Sequence, residues 1–269
     1  MSCLDLLRVY HFDTSKKIRL GVNNDGGYVI ADIAGGAVEG AEGAVAAEGG
    51  GAYDCYISAG VSNEESFTRD FLQRYASACS LNETNCFAFD GTIAAYPTQY
   101  TDKITFFKKN IGGGAEDVEV GADVVSETNL LFVLDKYSRV FLKMDIEGGE
   151  DPWLMRMTAD DLRKIRQIVI EFHGITGTGW GSSFEDKWAC IKKLSETHYF
   201  VHAHGNNYSH VISHIPDVIE LTCIEKSYFA DCGVPPLNKT PLPIIGLDFA
   251  NCSARHDIDL NVYPFVSKE

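Results

Sequence analysis

The stretch Tyr53-Asp54-Cys55-Tyr56-Ile57-Ser58-Ala59-Gly60 decides the fold that this sequence predicts. It has the pattern of a short apolar strand that ends in a glycine. Residues 63–76 follow with apolar side chains at helical spacing, and Asn63 is suited to cap the start of that helix. A strand followed at once by a helix is the repeating unit of an α/β sheet.

The same alternation continues along most of the chain. Further strands are predicted over 85–89, 104–107, 140–145, 167–172, 199–203 and 218–224, with helices over 127–136 and 184–196. Such a pattern predicts a mostly parallel sheet with helices on both faces. Ligands of these sheets bind beyond the carboxyl ends of the strands, so the residues at those ends are the candidates for function.

Two extensions flank this predicted core of residues 53–225. In the N-terminal extension, 1–52, a turn signal at Asn24-Asp25-Gly26-Gly27 precedes a strand over 28–30. Residues 34–51 contain little besides Gly, Ala and Glu, and we expect a mobile loop there. The C-terminal extension, 226–269, is rich in proline and turn residues and receives no assignment. We expect all 269 residues to form a single domain.

The overall charge and the cysteines limit the function classes. A formal net charge of −15 repels nucleic-acid phosphates and anionic lipids, so neither nucleic acid nor a membrane is an expected partner. None of the eight cysteines forms a CxxC pair, and those in apolar runs (Cys55, Cys86, Cys190 and Cys223) are expected to be buried free thiols. With no signal-peptide pattern or long apolar run, we expect a reducing, cytoplasmic location.

The ends of the first two predicted strands indicate a nucleoside-bearing cofactor. Gly60 lies just before a helix N-terminus, where backbone N–H groups are available to a ligand. Asp90 ends the second strand, where a carboxylate can accept hydrogen bonds from the two hydroxyls of a ribose. A plain strand-to-helix turn at Gly60 is the alternative.

Acidic residues gather at the ends of the fourth and fifth strands of the predicted core. Asp145 ends the strand over 140–145 with Glu147 two residues further on, while Glu171 lies near the end of the strand over 167–172 and His173 follows it. A spacing of two places each pair on one side of its strand. Clustered carboxylates favour a divalent metal with oxygen ligands, and Glu147 or His173 could accept a proton. The alternative is solvated loop carboxylates and a hydrogen-bonded histidine.

A third polar group follows the strand over 199–203. His202, His204, Asn206 and Asn207 could hold the hydroxyls of a substrate. The alternatives are histidines on an exposed loop and, less favoured, zinc ligation by His202 and His204.

Three blocks of the sequence resemble the FkbM-type methyltransferases. They are Arg19-Leu20-Gly21 with Asp25-Gly26-Gly27-Tyr28, Ile57 to Ser62 with Ser66-Phe67, and Leu142-Lys143-Met144-Asp145-Ile146-Glu147-Gly148-Gly149-Glu150. The resemblance implies a class I methyltransferase fold, which is a Rossmann-like, seven-stranded sheet with its last strand antiparallel. It also implies S-adenosylmethionine as the methyl donor and a hydroxyl acceptor, often on a sugar.

Site residues follow from the same resemblance. It implies cofactor binding by Arg19, Ser58, Gly60, Asp90 and Asp145, with the Gly60 turn facing the methionine part and Asp90 the ribose. Asp145, Glu147 and His173 would be catalytic. Similar sugar O-methyltransferases imply Mg or Mn at Asp145, Glu171 and His173, although Glu-x-His replaces their adjacent acids.

Two other classes of function remain open at this stage. Asp145-x-Glu147 could be the acidic motif of a metal-dependent glycosyltransferase, which would leave the Gly60 turn unexplained. The chain could also be a non-catalytic cofactor-binding module of a larger enzyme.

Overall fold

The computed structural model describes residues 3–33, 52–114, 126–177 and 179–268. The predicted mobile loop over 34–51 lies outside the described residues. Within them, the strands are β1 (Lys17–Leu20), β2 (Tyr28–Ala31), β3 (Cys55–Ala59), β4 (Cys86–Phe89), β5 (Thr105–Phe107), β6 (Asn110–Ile111), β7 (Glu127–Thr128), β8 (Val140–Met144), β9 (Ile165–His173), β10 (His198–Gly205), β11 (Val211–Ile212), β12 (Ile215–Pro216) and β13 (Val218–Glu225). The helices are α1 (Ser66–Cys79), α2 (Leu131–Leu134), α3 (Glu150–Arg156), α4 (Ala159–Arg163) and α5 (Phe184–Thr197).

Seven of these strands form one sheet in the order β5-β4-β3-β8-β9-β13-β10. Strands β5, β4, β3, β8 and β9 pair in parallel, whereas β13 runs antiparallel to both of its neighbours. The predicted class I methyltransferase fold, with seven strands and the last one antiparallel, is therefore confirmed. Parallel pairing of β3, β4 and β8 brings their carboxyl ends to one edge of the sheet.

The central strands are buried on both faces, as a sheet covered by helices requires. Ile57 and Leu142 belong to a core that also contains residues of α3, α4 and α5. Tyr56 and Phe141, one position away, pack instead with Phe71 of α1 and with the β1–β2 hairpin. This alternation is the two-residue period of a strand, and ring centroids of Phe71 and Phe141 lie 4.3 Å apart.

Several local predictions are confirmed and two are wrong. The strand predicted over 28–30 forms as β2 and pairs with β1 in a hairpin, and the helix predicted over 184–196 forms as α5. The four named apolar-run cysteines are buried and free. Helix α1 begins at Ser66, so Asn63 is not its N-cap; Glu65 occupies that position with its side chain turned into the core. Only Leu131–Leu134 is helical in the predicted helix over 127–136 because β7 takes its first residues.

The two extensions pack against each other beside the end of the sheet. Val9 donates a backbone hydrogen bond to Pro264 (3.4 Å) and accepts one from Asn238 (2.8 Å). Val9 also bridges to Phe200 of β10. No helix within the described ranges is both long and apolar enough to span a membrane.

Candidate functional site

A cavity of about 670 Å³ opens at the carboxyl ends of β3, β4 and β8. Its lining includes Gly60, Asp90, Asp145 and Glu147, which are four of the residues that the sequence predicts for the site. Asp25 of the turn before β2 also lines it. The cavity therefore lies where ligands of doubly wound α/β sheets bind.

The turn at Gly60 is fixed by the loop that follows β8. Gly60 has a φ of +79°, and a Cβ atom there would lie 1.6 Å from the carbonyl oxygen of Asp145. The backbone N–H of Asp145 donates to Ala59 at 3.0 Å, and the Lys143 ammonium donates to the Gly60 carbonyl at 2.6 Å. Glycine is thus required here by contact within the protein itself.

Asp90 organises the chain just after this turn. One carboxylate oxygen accepts hydrogen bonds from the backbone N–H groups of Val61 (3.0 Å) and Ser62 (2.8 Å), and the other accepts two from Thr92. Burial acts to raise the pKa of Asp90, but these hydrogen bonds outweigh it and lower the pKa. The hydroxyls of a ribose would have to donate to carboxylate oxygens that already accept four hydrogen bonds from the protein. The contact of Asp90 with a ribose stays a prediction.

Two predicted cofactor residues face away from the cavity. Ser58 is buried, and its hydroxyl donates to the buried Glu65 at 2.8 Å. The Arg19 guanidinium donates to the backbone carbonyls of Val22 (3.0 Å) and Asn24 (2.8 Å). Ser58 thus supports β3 and α1 from inside the core, Arg19 holds the turn before β2, and neither lines the cavity. Their predicted contact with the cofactor stays a prediction.

A buried tyrosine joins the acids of two strands. The Tyr28 hydroxyl donates towards Asp145 (3.0 Å) and Glu171 (3.2 Å), and Asn206 donates to the other oxygen of Glu171 at 2.6 Å. Burial raises the pKa of Glu171 well above its ordinary value, and the negative charge of Asp145 adds to this effect. Burial likewise raises the pKa of Tyr28, which keeps its hydroxyl protonated as a donor.

His173 completes the cluster at the end of β9. Its Nδ1 atom lies 3.2 Å from Glu150, and its Nε2 atom lies 3.4 Å from Glu147. Glu150 is itself fixed by the backbone N–H groups of Ile146 and Gly148. Burial acts to lower the pKa of His173, but the hydrogen bond with Glu150 and the surrounding carboxylates raise it to about 9.

Asp145, Glu171 and His173 could hold a metal ion. One donor atom from each of these three residues lies within 4.8 Å of the other two. Ligands of Mg²⁺ at about 2.1 Å can be at most ~4.2 Å apart, and the three donor atoms are spaced closely enough to share one ion with water as the remaining ligands. The Nδ1 atom of His173 is hydrogen-bonded to Glu150, while its Nε2 atom points towards the carboxylate of Glu147. Histidines that bind metals commonly have one ring nitrogen hydrogen-bonded to a carboxylate in this way. The residues therefore fit the predicted metal.

The prediction that two-residue spacing places Glu147 beside Asp145 on one side of a strand is wrong. Glu147 nevertheless lines the cavity. Strand β8 ends at Met144, and Glu147 has a φ of +55°, so the two-residue period does not extend to it. Its carboxylate still approaches His173, with 70% of the side chain exposed. Glu147 is therefore a solvent-facing acid of the cavity, as is Asp25.

The predicted group at His202 to Asn207 serves the interior instead of a substrate. His202 and His204 are buried on β10, where His202 contacts Asp248 (2.8 Å) and His204 contacts Glu220 (3.1 Å) and Asp257 (3.0 Å). Both histidines are thus neither exposed nor arranged around a shared zinc position. Asn207 donates to backbone carbonyls of the C-terminal extension, at Cys252, Arg255 and His256.

Sequence reasoning missed Tyr28, Glu150 and Asn206 as partners of the acidic cluster. Tyr28 and Glu150 stand in the quoted blocks DGGY and KMDIEGGE, yet no spacing rule brings β2 beside β8. Asn206 follows β10 and reaches Glu171 of β9 across β13, the strand that lies between them. These contacts depend on how elements far apart in the sequence pack together.

No protein-family model and no curated protein matches the chain. Among solved structures, the chain is similar to a TehB-like SAM-dependent methyltransferase from Corynebacterium glutamicum. The sequences are 14% identical, the match covers 65% of this chain and 82% of that one, and the TM-score is 0.30. The fold assignment rests on the strand order given above, and membership of the FkbM family stays a prediction.

Proposed function

We propose that this chain is an S-adenosylmethionine-dependent O-methyltransferase that methylates a carbohydrate hydroxyl with the help of a divalent metal. One observation carries the proposal: the cavity lined by Gly60 and Asp145 adjoins the cluster of Asp145, Glu171 and His173. A methyl donor and an activated hydroxyl must meet at such a junction. The strand order is the one on which class I methyltransferases are built.

The charge of the cavity suits the proposed donor. S-adenosylmethionine carries a positive sulfonium, and Asp25, Asp145 and Glu147 line the cavity with carboxylates. The two lysines of the lining are Lys109 and Lys143, and Lys143 is engaged with the Gly60 carbonyl. A cationic donor is therefore favoured over a nucleotide diphosphate.

The acidic cluster supports the proposed activation of the acceptor. A sugar hydroxyl is a weak nucleophile at neutral pH, and a divalent metal bound at these residues would lower its pKa. Asp145 and Glu171 would supply oxygen ligands and His173 a nitrogen ligand, held in place by Glu150. Tyr28 and Asn206 orient the two carboxylates. Alignment of oxygen, methyl and sulfur would supply much of the remaining rate.

Calorimetry with S-adenosylhomocysteine and with UDP-glucose tests the cofactor. We expect micromolar binding of S-adenosylhomocysteine and none of UDP-glucose. The reverse result would overturn the methyltransferase proposal in favour of a glycosyltransferase that uses Asp145 and Glu147. Binding without any methyl transfer from labelled S-adenosylmethionine to glycans would favour a non-catalytic module.

Substitution of Asp145 tests the reacting centre. Asp145→Asn should lower methyl transfer to an accepted glycan by at least about a hundredfold, since the group lies where donor and metal meet. Asp160→Asn is the matched control because Asp160 is exposed on α4. Equal activity of the two variants would remove Asp145 from the mechanism.

Removal of metal tests the proposed assistance. Exhaustive EDTA treatment should abolish turnover, and added Mg²⁺ or Mn²⁺ should restore it. Full activity after that treatment would leave the methyltransferase proposal standing and exclude the metal.

A further inference from the structure

Trp180 is far more exposed to solvent than the other two tryptophans of the chain. The chain has three tryptophans; Trp153 and Trp188 are buried, with 0% and 7% of their surface exposed, whereas Trp180 is 38% exposed. An exposed indole offers a ligand a large, rigid apolar contact surface together with an N–H donor.

The indole lies directly on the proposed reacting centre. Its ring centroid is 5.0 Å from that of His173, with an angle of 48° between the planes. Gly174 makes room for it, since a Cβ atom there would lie 2.8 Å from the Trp180 Cβ. On the other side, a Cβ atom at Gly148 would be in ordinary van der Waals contact with the indole Cε3, at 3.5 Å. The ring therefore rests between the ends of β8 and β9.

A buried lysine fixes the backbone of Trp180. Lys187 of α5 is 1% exposed, and its ammonium donates to the carbonyls of Trp180 and of His173, the latter at 3.0 Å. One cation thus connects the loop to the strand that supplies His173. The indole is held at a set position before a ligand arrives, which reduces the entropy lost on binding.

We infer that Trp180 is the platform on which a sugar ring of the acceptor stacks, which rests on the proposed function and adds the acceptor subsite to it. The C–H groups on one face of a pyranose pack well against the electron-rich face of an indole. Glu147, whose side chain is 70% exposed beside His173, can accept hydrogen bonds from the hydroxyls at the ring edge. A ring seated there has a hydroxyl beside the acidic cluster.

Quenching of tryptophan fluorescence by acrylamide tests the platform without catalysis. In the wild type, we expect Trp180 to supply the accessible fraction, and Trp180→Phe to remove it. Methyl glycosides of glucose, galactose, mannose, fucose and xylose are added up to their solubility limits. Protection from acrylamide by at least one of them supports the proposal, and protection by none overturns it.

Kinetics on an accepted glycan supply the second readout. Trp180→Ala should raise the KM for the acceptor about tenfold, as the loss of one aromatic stacking contact predicts. Trp180→Phe should retain most of the affinity, and binding of S-adenosylhomocysteine should not change in either variant. Tyr228→Ala is the matched control, since Tyr228 is 39% exposed but lies in the 3₁₀ helix after β13.

These results separate the two proposals. An unchanged KM in Trp180→Ala, with normal methyl transfer, would overturn the platform and leave the methyltransferase in place. Absence of S-adenosylhomocysteine binding in the wild type would overturn the proposed function, while the quenching result would still decide whether Trp180 binds sugars.

Discussion

Gly60 and Asp145 are locked together: the position of a Cβ atom on Gly60 is 1.6 Å from the Asp145 carbonyl oxygen. The turn that ends β3 and the acid that follows β8 therefore cannot move independently. Any substitution at Gly60 displaces the proposed reacting centre along with the turn.

Gly60→Ala should destabilise the protein by about 3 kcal/mol or more, since it combines a severe clash with a left-handed backbone. Urea unfolding measures the loss. Gly233→Ala is the control because Gly233 has a similar φ of +74° with no atom within 4 Å of a Cβ. We expect about 1 kcal/mol there, and equal losses at both positions would show that the contact with Asp145 contributes nothing.

Ser58→Ala should lower stability by about 1–3 kcal/mol while leaving the affinity for S-adenosylhomocysteine unchanged. The substitution removes a hydrogen bond to the buried Glu65 and touches no part of the cavity. Asp90→Asn serves as the comparison, because it replaces an oxygen that fixes the Val61–Ser62 turn, and should weaken binding. A clear loss of affinity in Ser58→Ala would support the predicted contact of Ser58 with the cofactor.

His198 should make stability depend on pH between 4 and 6.5. Burial lowers the pKa of His198 from 6.5 to about 4, and its Nε2 donates to the Ile165 carbonyl at 2.8 Å. In that window the unfolded chain binds more protons, so stability is complete above pH 6.5 and is lost as the pH falls towards 4. The difference of about 2.5 between the pKa values corresponds to ~3 kcal/mol.

Urea unfolding of the wild type and of His198→Gln, at pH 7 and at pH 4, isolates this contribution. The carboxylates titrate in both proteins, so their effects cancel in the comparison. We expect the wild type to lose ~3 kcal/mol more than the variant. Parallel losses would mean that folding does not lower the pKa of His198.

Alkylation should distinguish the cysteines by burial. Cys3 and Cys232 are exposed and Cys252 is partly exposed, while the remaining five are buried. Burial raises the pKa of Cys86 and of Cys190 to about 12, which suppresses the reactive thiolate. Iodoacetamide followed by mass spectrometry should label the first three in the native protein and all eight in urea. Rapid native labelling of Cys86 would contradict the packing of β4.

The sheet was predictable because its strands carry their own signals. Apolar runs such as 140–144 and 167–172 are short, β-branched or aromatic, and bounded by turn residues. Helix boundaries were less accurate because Glu65, a polar residue that sequence rules place in the first turn, is buried by contacts with Ser58, Thr68 and Tyr96. Such contacts join distant parts of the chain and have no local pattern.

The residues that meet at the ends of neighbouring strands could be predicted from the sequence. The residues that are held by contacts with distant segments could not. Asp145, Glu171 and His173 meet because neighbouring parallel strands end at one edge. In contrast, the sequence did not indicate that His202 and His204 are buried, because the carboxylates that contact them belong to β13 and to residues 248–257. A histidine beside turn residues cannot be assigned without knowing which distant carboxylate reaches it.

The pairing of β10 with the C-terminal extension also has a consequence for biosynthesis. All seven strands have left the ribosome once residue 225 has emerged, but Asp248, Asn251 and Asp257 have not. Until they arrive, His202 and His204 lack Asp248 and Asp257, while Glu220 lacks its bond from Asn251. The strands of the sheet are therefore translated before the side chains of residues 248–257 that satisfy His202, His204 and Glu220.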